Sequence, residues 1–295
     1  MTAAGPPARR AAVLGSPVAH TLSPVLHRAA YAALGLTAWQ YDAVEVDEAG
    51  LAGFFAGLDA SWAGLSLTMP LKRAVRPLLV AESDLARAVG AVNTVTFPPG
   101  GPVGHNTDVH GIVAALREAG VAAVERAAVL GGGATACSAV AALRDLGCER
   151  PLVHVRAPER SGGVVAAGKR LGTEVRLGPL DPEAIAAGRP AVVVSTLPAG
   201  AADGWAAHLV RRLGDAEGPG ALLDVVYVPW PTPLAAAWAA AGGPVASGFA
   251  MLLHQAAEQV RLMTGLEPPV VAMRSAGEAE VARRQGSART PATRL

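Results

Sequence analysis

The chain has 295 residues, a formal net charge of +1, 17% charged residues and 51% hydrophobic ones. At about 100–200 residues per domain this length predicts two domains, and the near-neutral balance gives no field suited to a polyanion or an acidic membrane surface, so neither nucleic acid nor a membrane is a favoured partner. Cys137 and Cys148 are too few for a disulfide framework and sit at no metal-ligand spacing; they read as buried thiols of a reducing, cytoplasmic compartment.

In chain order, residues 1–9 are small, Pro-rich and polar and predict a frayed tail. Arg9-Arg10 before a short apolar run imitates an export signal, but Ala11 to Gly15 is too short for a signal core and Pro17 follows at once. Strands are predicted at Ala11–Gly15, Tyr41–Val46, Leu65–Thr68, Val92–Phe97, Ala128–Gly131, Leu152–Arg156, Val192–Thr196 and Leu222–Tyr227. Their alternation with helical patterns predicts an α/β protein of parallel sheets.

Two helices carry motifs. After Asn106-Thr107-Asp108, the residues Val109, Ile112, Val113 and Leu116 recur at helical spacing, which puts Asp108 at a helix N-terminus. Near the end, Phe249, Leu252, Leu253, Ala256, Val260 and Met263 form an apolar stripe closed by Gly265, with Met251 and Gln255 one turn apart on another face. From about Ser275 no apolar stripe is sustained, and 276–295 reads as a second tail.

The uncharged run Ala127 to Leu143 approaches membrane-span length, yet Gly131-Gly132-Gly133 inside it makes a strand, turn and helix the better account. Followed by Ala134-Thr135-Ala136, the glycines spell GxGxxA, an accepted form of the dinucleotide fingerprint. Backbone N–H groups and the helix dipole favour a pyrophosphate at such a turn. The next predicted strand ends in Arg156, with Arg160 beyond, where an NAD-type fold places an acidic residue. Guanidinium groups match a 2′-phosphate; Glu159 is the residue that argues the other way.

Only two lysines, Lys72 and Lys169, stand among the basic residues. Arginine does not surrender its proton in a protein, whereas lysine does when its surroundings tune it, so Lys72 at the end of Gly64-Leu65-Ser66-Leu67-Thr68-Met69-Pro70-Leu71 is a candidate acid. Taken alone it also fits a surface charge. Likewise Ser23 before Pro24 also fits a helix cap, Asn93 a turn residue, Gln255 a solvated side chain and Asp108 a helix-terminal carboxylate.

Taken together, in order, these segments resemble the shikimate dehydrogenase family over roughly residues 11–265. The segments are Gly15-Ser16-Pro17-Val18-Ala19-His20-Thr21-Leu22-Ser23-Pro24, Leu65 to Lys72, Gly90-Ala91-Val92-Asn93-Thr94 and Gly104-His105-Asn106-Thr107-Asp108. Then come the glycine turn, Asp224-Val225-Val226-Tyr227 with Thr232-Pro233-Leu234, and Gly248-Phe249-Ala250-Met251-Leu252-Leu253-His254-Gln255-Ala256.

The resemblance implies an α/β substrate-binding domain over 10–108 completed by 247–275, a Rossmann-like NADP domain over 109–246, and an active-site cleft between them. It implies NADPH-dependent, reversible reduction of 3-dehydroshikimate to shikimate, in chorismate and aromatic amino acid biosynthesis. By position, Lys72 and Asp108 would be catalytic. Thr21, Ser23, Thr68, Asn93, Tyr227 and Gln255 would bind substrate. Gly131, Gly132, Gly133, Ala134, Thr135, Arg156, Arg160, Thr196, Gly248 and Met251 would hold NADP(H).

No metal site is expected, His20 and His105 read as structural, Trp62 and Trp230 as packing, and a homodimer is left open. Two positions depart from the family: Ser66 stands where asparagine is common, and Thr21 replaces a usual serine. Ser23, where relatives that favour quinate often carry threonine, favours shikimate. The alternatives are an NAD-linked quinate or aminoshikimate dehydrogenase on the same scaffold, or a paralogue that binds ligand without chemistry.

Overall fold

Each run read as a strand forms one in the computed structural model, which describes residues 8–214 and 218–289. The first sheet holds β1 (Arg9–Gly15), β2 (Trp39–Glu45), β3 (Trp62–Leu67), β4 (Ala81–Glu82), β5 (Thr94–Thr96) and β6 (Val103–His105), in the order β2-β1-β3-β5-β6-β4. The second holds β7 (Ala127–Leu130), β8 (Leu152–Val155), β9 (Arg176–Pro179), β10 (Val192–Ser195), β11 (Ala221–Asp224) and β12 (Val245–Ser247), in the order β12-β11-β10-β7-β8-β9.

The first sheet corrects the expectation of parallel strands. β1 runs parallel to β2 and β3, but β3 with β5 and β5 with β6 pair antiparallel. Residues 97–102, which join β5 to β6, are too few for the crossover that a parallel pair requires. β3, buried at all six positions, is the kind of continuous apolar strand that a covered sheet demands.

All pairs of the second sheet are parallel. Successive strand side chains face opposite ways, so Val129, Val192, Val194 and Leu223 enter one core while Ala128, Leu130, Val193 and Leu222 enter another. Helices Asp108–Glu118, Ala134–Asp145 and Gly162–Leu171 cover the first face; Pro182–Ala187, Ala206–Leu213 and Pro233–Ala240 cover the second. From β9 inward the strand order is that of the doubly wound dinucleotide-binding fold, reversing between β7 and β10.

The chain parts into two units along lines that differ from the expected boundaries. Among the described residues, one contains those up to Glu82, Val92–His105 and those from Ala256; the other contains Ser83–Ala91 and those from Asn106 to Gln255. Ser83–Ala91 belongs to the second because Arg170 Nε donates to Ala88 O (2.9 Å) and Asn106 Nδ2 to Ala91 O (2.9 Å). Asp108, expected in the first, follows Asn106 into the second.

The second tail is also corrected. Val270–Arg289 is a helix, rich in Ala, Glu and Arg, with Glu280 paired to Arg283 and Arg284 at helical spacing. It packs on helix Ser23–Ala33 and buries Met273. The outermost parts of both expected tails, 1–7 and 290–295, lie outside the described residues.

Candidate active site

In the first unit, backbone bonds gather three segments at one end of the sheet. Ser16 N donates to Met69 O (3.0 Å), Thr68 N to Leu14 O (2.9 Å), Leu67 N to Asn93 O (2.8 Å) and Val92 N to Lys72 O (2.8 Å). A Cβ at Gly15 would lie 2.3 Å from Thr68 Cγ2, so only glycine lets β1 pass the Thr68 turn. Thr68 and Lys72 are half-buried there, Lys72 on the short helix Leu71–Ala74, and Asn93 is 1% exposed.

Ser23 opens helix Ser23–Ala33, whose N-cap is Leu22 and which has no side-chain cap bond, so Ser23 is not a cap. Its hydroxyl instead accepts from Thr21 Oγ1 at 3.1 Å. Two neighbouring hydroxyls are thus offered at a helix start, a favourable place for a carboxylate.

Ser66 makes a different set of bonds from an asparagine amide: it accepts from Tyr41 OH (2.7 Å) and donates to Gln259 Oε1 (2.9 Å). The amide of this cluster comes from Gln259, and His27 Nε2 also meets its Oε1, at 3.1 Å. His27, stacked on Tyr41 with centroids 3.9 Å apart, is pushed down to about pKa 4 by burial, against the opposing pull of its Gln259 bond. Sequence reasoning passed over Gln259. Its position, one turn after Ala256 on the apolar stripe, was the available signal, since a polar residue there must find partners.

In the second unit Asp108 begins its helix, yet it is 1% exposed and Thr107 is the N-cap, so it is no solvated cap. Three residues on, a Cβ at Gly111 would lie 2.6 Å from Met251 O and 3.1 Å from Gln255 Cβ. Glycine lets helix Gly248–Thr264 cross helix Asp108–Glu118 at backbone contact, which brings Met251 and Gln255 beside the turn that starts with Asp108. His254 Nε2 and Glu118 Oε1, 2.8 Å apart, tie the same helices.

Gly248 is equally constrained: a Cβ would lie 2.2 Å from Val225 O. It therefore abuts the loop carrying Tyr227, which starts earlier than expected, because β11 ends at Asp224. The Asp224 carboxylate accepts from Val226 N (3.2 Å) and Thr232 Oγ1 (2.7 Å), fastening both ends of the loop. Burial pushes that carboxyl above its ordinary range.

The glycine turn lies at the carboxyl end of β7, beside the point where strand order reverses. Gly131 has φ +109, and a Cβ there would meet Thr196 Oγ1 at 2.6 Å. Thr196 in turn donates from N and Oγ1 to Leu130 O, at 2.9 and 2.8 Å. A Cβ on Gly132 would lie 2.8 Å from Ser161 Oγ, whereas Gly133 has nothing within 4 Å and opens the N-terminus of the helix that starts with Ala134 and Thr135. An open helix start behind a tight glycine turn fits a pyrophosphate. Arg156 and Arg160 stand exposed just past β8, the strand next to β7.

The doubly wound sheet, the glycine turn at its switch point and a separate unit holding one half-buried lysine among buried hydroxyl and amide groups define a dinucleotide-dependent oxidoreductase. The chain matches the family model of the Shikimate dehydrogenase substrate binding domain over residues 13–95 and that of the Shikimate 5'-dehydrogenase C-terminal domain over residues 248–276. It is 38% identical over 272 residues to the Shikimate dehydrogenase (NADP(+)) of Thermosynechococcus vestitus, covering 90% of this chain and 93% of that one. The solved Mycobacterium tuberculosis shikimate dehydrogenase is 42% identical, with a TM-score of 0.82 over 92% of this chain and 99% of that one. The Thermus thermophilus shikimate 5-dehydrogenase, solved in complex with NADP(H) and shikimate, is 33% identical with a TM-score of 0.77 over 92% and 99%. The chain belongs to the shikimate dehydrogenase family.

Proposed function

We propose that the protein is an NADP-dependent shikimate dehydrogenase that interconverts 3-dehydroshikimate and shikimate, with Lys72 and Asp108 as its catalytic pair. The observation that carries this reading is the clustering of Lys72 with Thr68 and Asn93 at one sheet end, the only lysine so framed in a chain that has two. NADPH, when bound, supplies the hydride.

As the ketone accepts it, negative charge grows on the carbonyl oxygen, and Lys72 gives that oxygen a proton. Asp108 orients the ammonium and an adjoining ring hydroxyl. Thr21 and Ser23 donate to the substrate carboxylate, with Tyr227 contributing near it. Thr68, Asn93 and Gln255 hold the ring hydroxyls or the carboxylate, and Met251 and Gly248 line the nicotinamide position. Gly131, Gly132, Gly133, Ala134, Thr135 and Thr196 shape the pyrophosphate turn, while Arg156 and Arg160 take the 2′-phosphate. Ser23, lacking a methyl group, supports shikimate over quinate.

Two buried thiols that form no disulfide, Cys137 and Cys148, support a cytoplasmic setting, and no helix among the described residues is long and apolar enough to cross a membrane. A homodimer is read directly by sedimentation velocity. Purified protein with shikimate and NADP+ should generate reduced nicotinamide absorbance over many turnovers. Binding of shikimate without turnover would favour a non-catalytic paralogue, and a higher rate with quinate and NAD+ would favour the alternative dehydrogenase.

A further inference from the structure

We propose that Gln259 is a positioning residue for substrate binding: it sets the Asn93 amide in the orientation that receives the substrate. This rests on the reading of Asn93 as a substrate contact.

Gln259 is 3% exposed on helix Gly248–Thr264. Its Oε1 accepts from Ser66 Oγ (2.9 Å) and meets His27 Nε2 (3.1 Å), while its Nε2 donates to Thr94 Oγ1 (3.1 Å) and Asn93 O (3.4 Å). Thr94 Oγ1, having accepted that bond, donates to Asn93 Oδ1 at 2.9 Å. In the other direction Ser66 accepts from Tyr41 OH (2.7 Å). One chain of hydrogen bonds therefore runs from Tyr41 to Asn93, with Gln259 at its middle.

The direction of each bond follows from the one before. Ser66 Oγ donates to Gln259 Oε1, and with the amide oxygen on that side the buried, neutral His27 carries its one proton on Nε2 and donates to the same oxygen. The amide nitrogen then faces Thr94, the Thr94 hydroxyl points on to Asn93, and Asn93 must turn its oxygen to Thr94. The donating end of the Asn93 amide is thereby set on the opposite side, where a hydroxyl or carbonyl oxygen is received.

An apolar filling would hold the fold equally well, since buried polar groups gain little stability over well-packed hydrocarbon. What the chain of bonds adds is orientation at the end where Asn93 lies.

The test is steady-state kinetics of Gln259→Met with shikimate and NADP+, paired with Asn93→Ala and the double variant. A misplacement of the reacting group by about 1 Å costs on the order of 100-fold; a reoriented amide should raise the shikimate KM about tenfold and leave the NADP+ KM within about twofold. Added to Asn93→Ala, Gln259→Met should raise KM no further, because it acts through Asn93. Thr94→Val cuts the same link while leaving Ser66 and His27 bonded to Gln259, and should also raise the shikimate KM; it carries the test alone if Gln259→Met does not fold. An unchanged shikimate KM in folded variants, or additive effects in the double variant, would overturn the proposal. Absence of shikimate turnover in the unaltered protein would instead remove the functional reading beneath it.

Discussion

At the end of β3 the polar groups are buried, uncharged and bonded to one another; past β8 the guanidinium groups of Arg156 and Arg160 stand in water. The first arrangement meets its desolvation cost before any ligand arrives, so its geometry is fixed in advance. The second keeps its charges hydrated and screened. A ring with several hydroxyls is told from its isomers by rigid donors. A phosphate is recognised by charge and by an open helix start. Changes in the first region should therefore alter folding and substrate affinity together, and changes in the second should alter cofactor affinity alone.

Lys72→Ala should break the comparison most severely, because the role proposed for Lys72 is to serve charge forming in the transition state. It should lower kcat by roughly 1,000-fold, about 4 kcal/mol, with the shikimate dissociation constant little changed; stopped-flow and equilibrium binding separate the two.

Next in size is an effect of acid on the first region. Burial lowers His27 from 6.5 to about 4 in the folded state, so between those values the unfolded chain binds more protons and stability rises with pH. The contribution is fully present above pH 6.5 and lost as pH falls towards 4. Between about pH 7.5 and 4.5 it should amount to roughly 2–3 kcal/mol, seen in urea titrations as a steeper loss in the unaltered protein than in His27→Gln. Equal slopes would contradict a buried neutral imidazole.

Arg156→Ala should raise the NADP+ KM about 30-fold, roughly 2 kcal/mol for a charged hydrogen bond, while sparing NAD+ and thermal stability. Equal losses for both cofactors would undo the assignment to the 2′-phosphate.

The smallest effect sharpens the contrast with an arginine of the first unit. Arg284 on the final helix donates to His20 O (2.7 Å) and Thr21 O (3.4 Å) and is itself held by Glu280 at 2.7 Å. Arg284→Ala should loosen the loop carrying Thr21 and raise the shikimate KM several-fold, about 1 kcal/mol, with the NADP+ KM unmoved.

The strands buried on both faces were legible because their apolar runs are continuous. β4, β9 and β12 were not, since each lies at a sheet edge and runs for two to four residues. β6, three residues long beside an edge, was missed for the same reason. The glycine turn and the lysine segment were visible as ordered motifs. Helix Val270–Arg289 was hidden because ion pairs and one buried methionine secure it rather than an apolar stripe. The bonds joining Tyr41 to Asn93 span residues as far apart as Ser66 and Gln259, which no local pattern connects.

The scarcity of lysine has a practical corollary. An amine-directed acylating reagent meets only two side-chain targets: Lys169, exposed on helix Gly162–Leu171, and Lys72, half-buried. Lys169 serves as an internal reference for reagent dose. With Lys72 in the substrate site as proposed, peptide mass mapping with and without shikimate should show shielding of that single amine, a native reporter of occupancy without an introduced label.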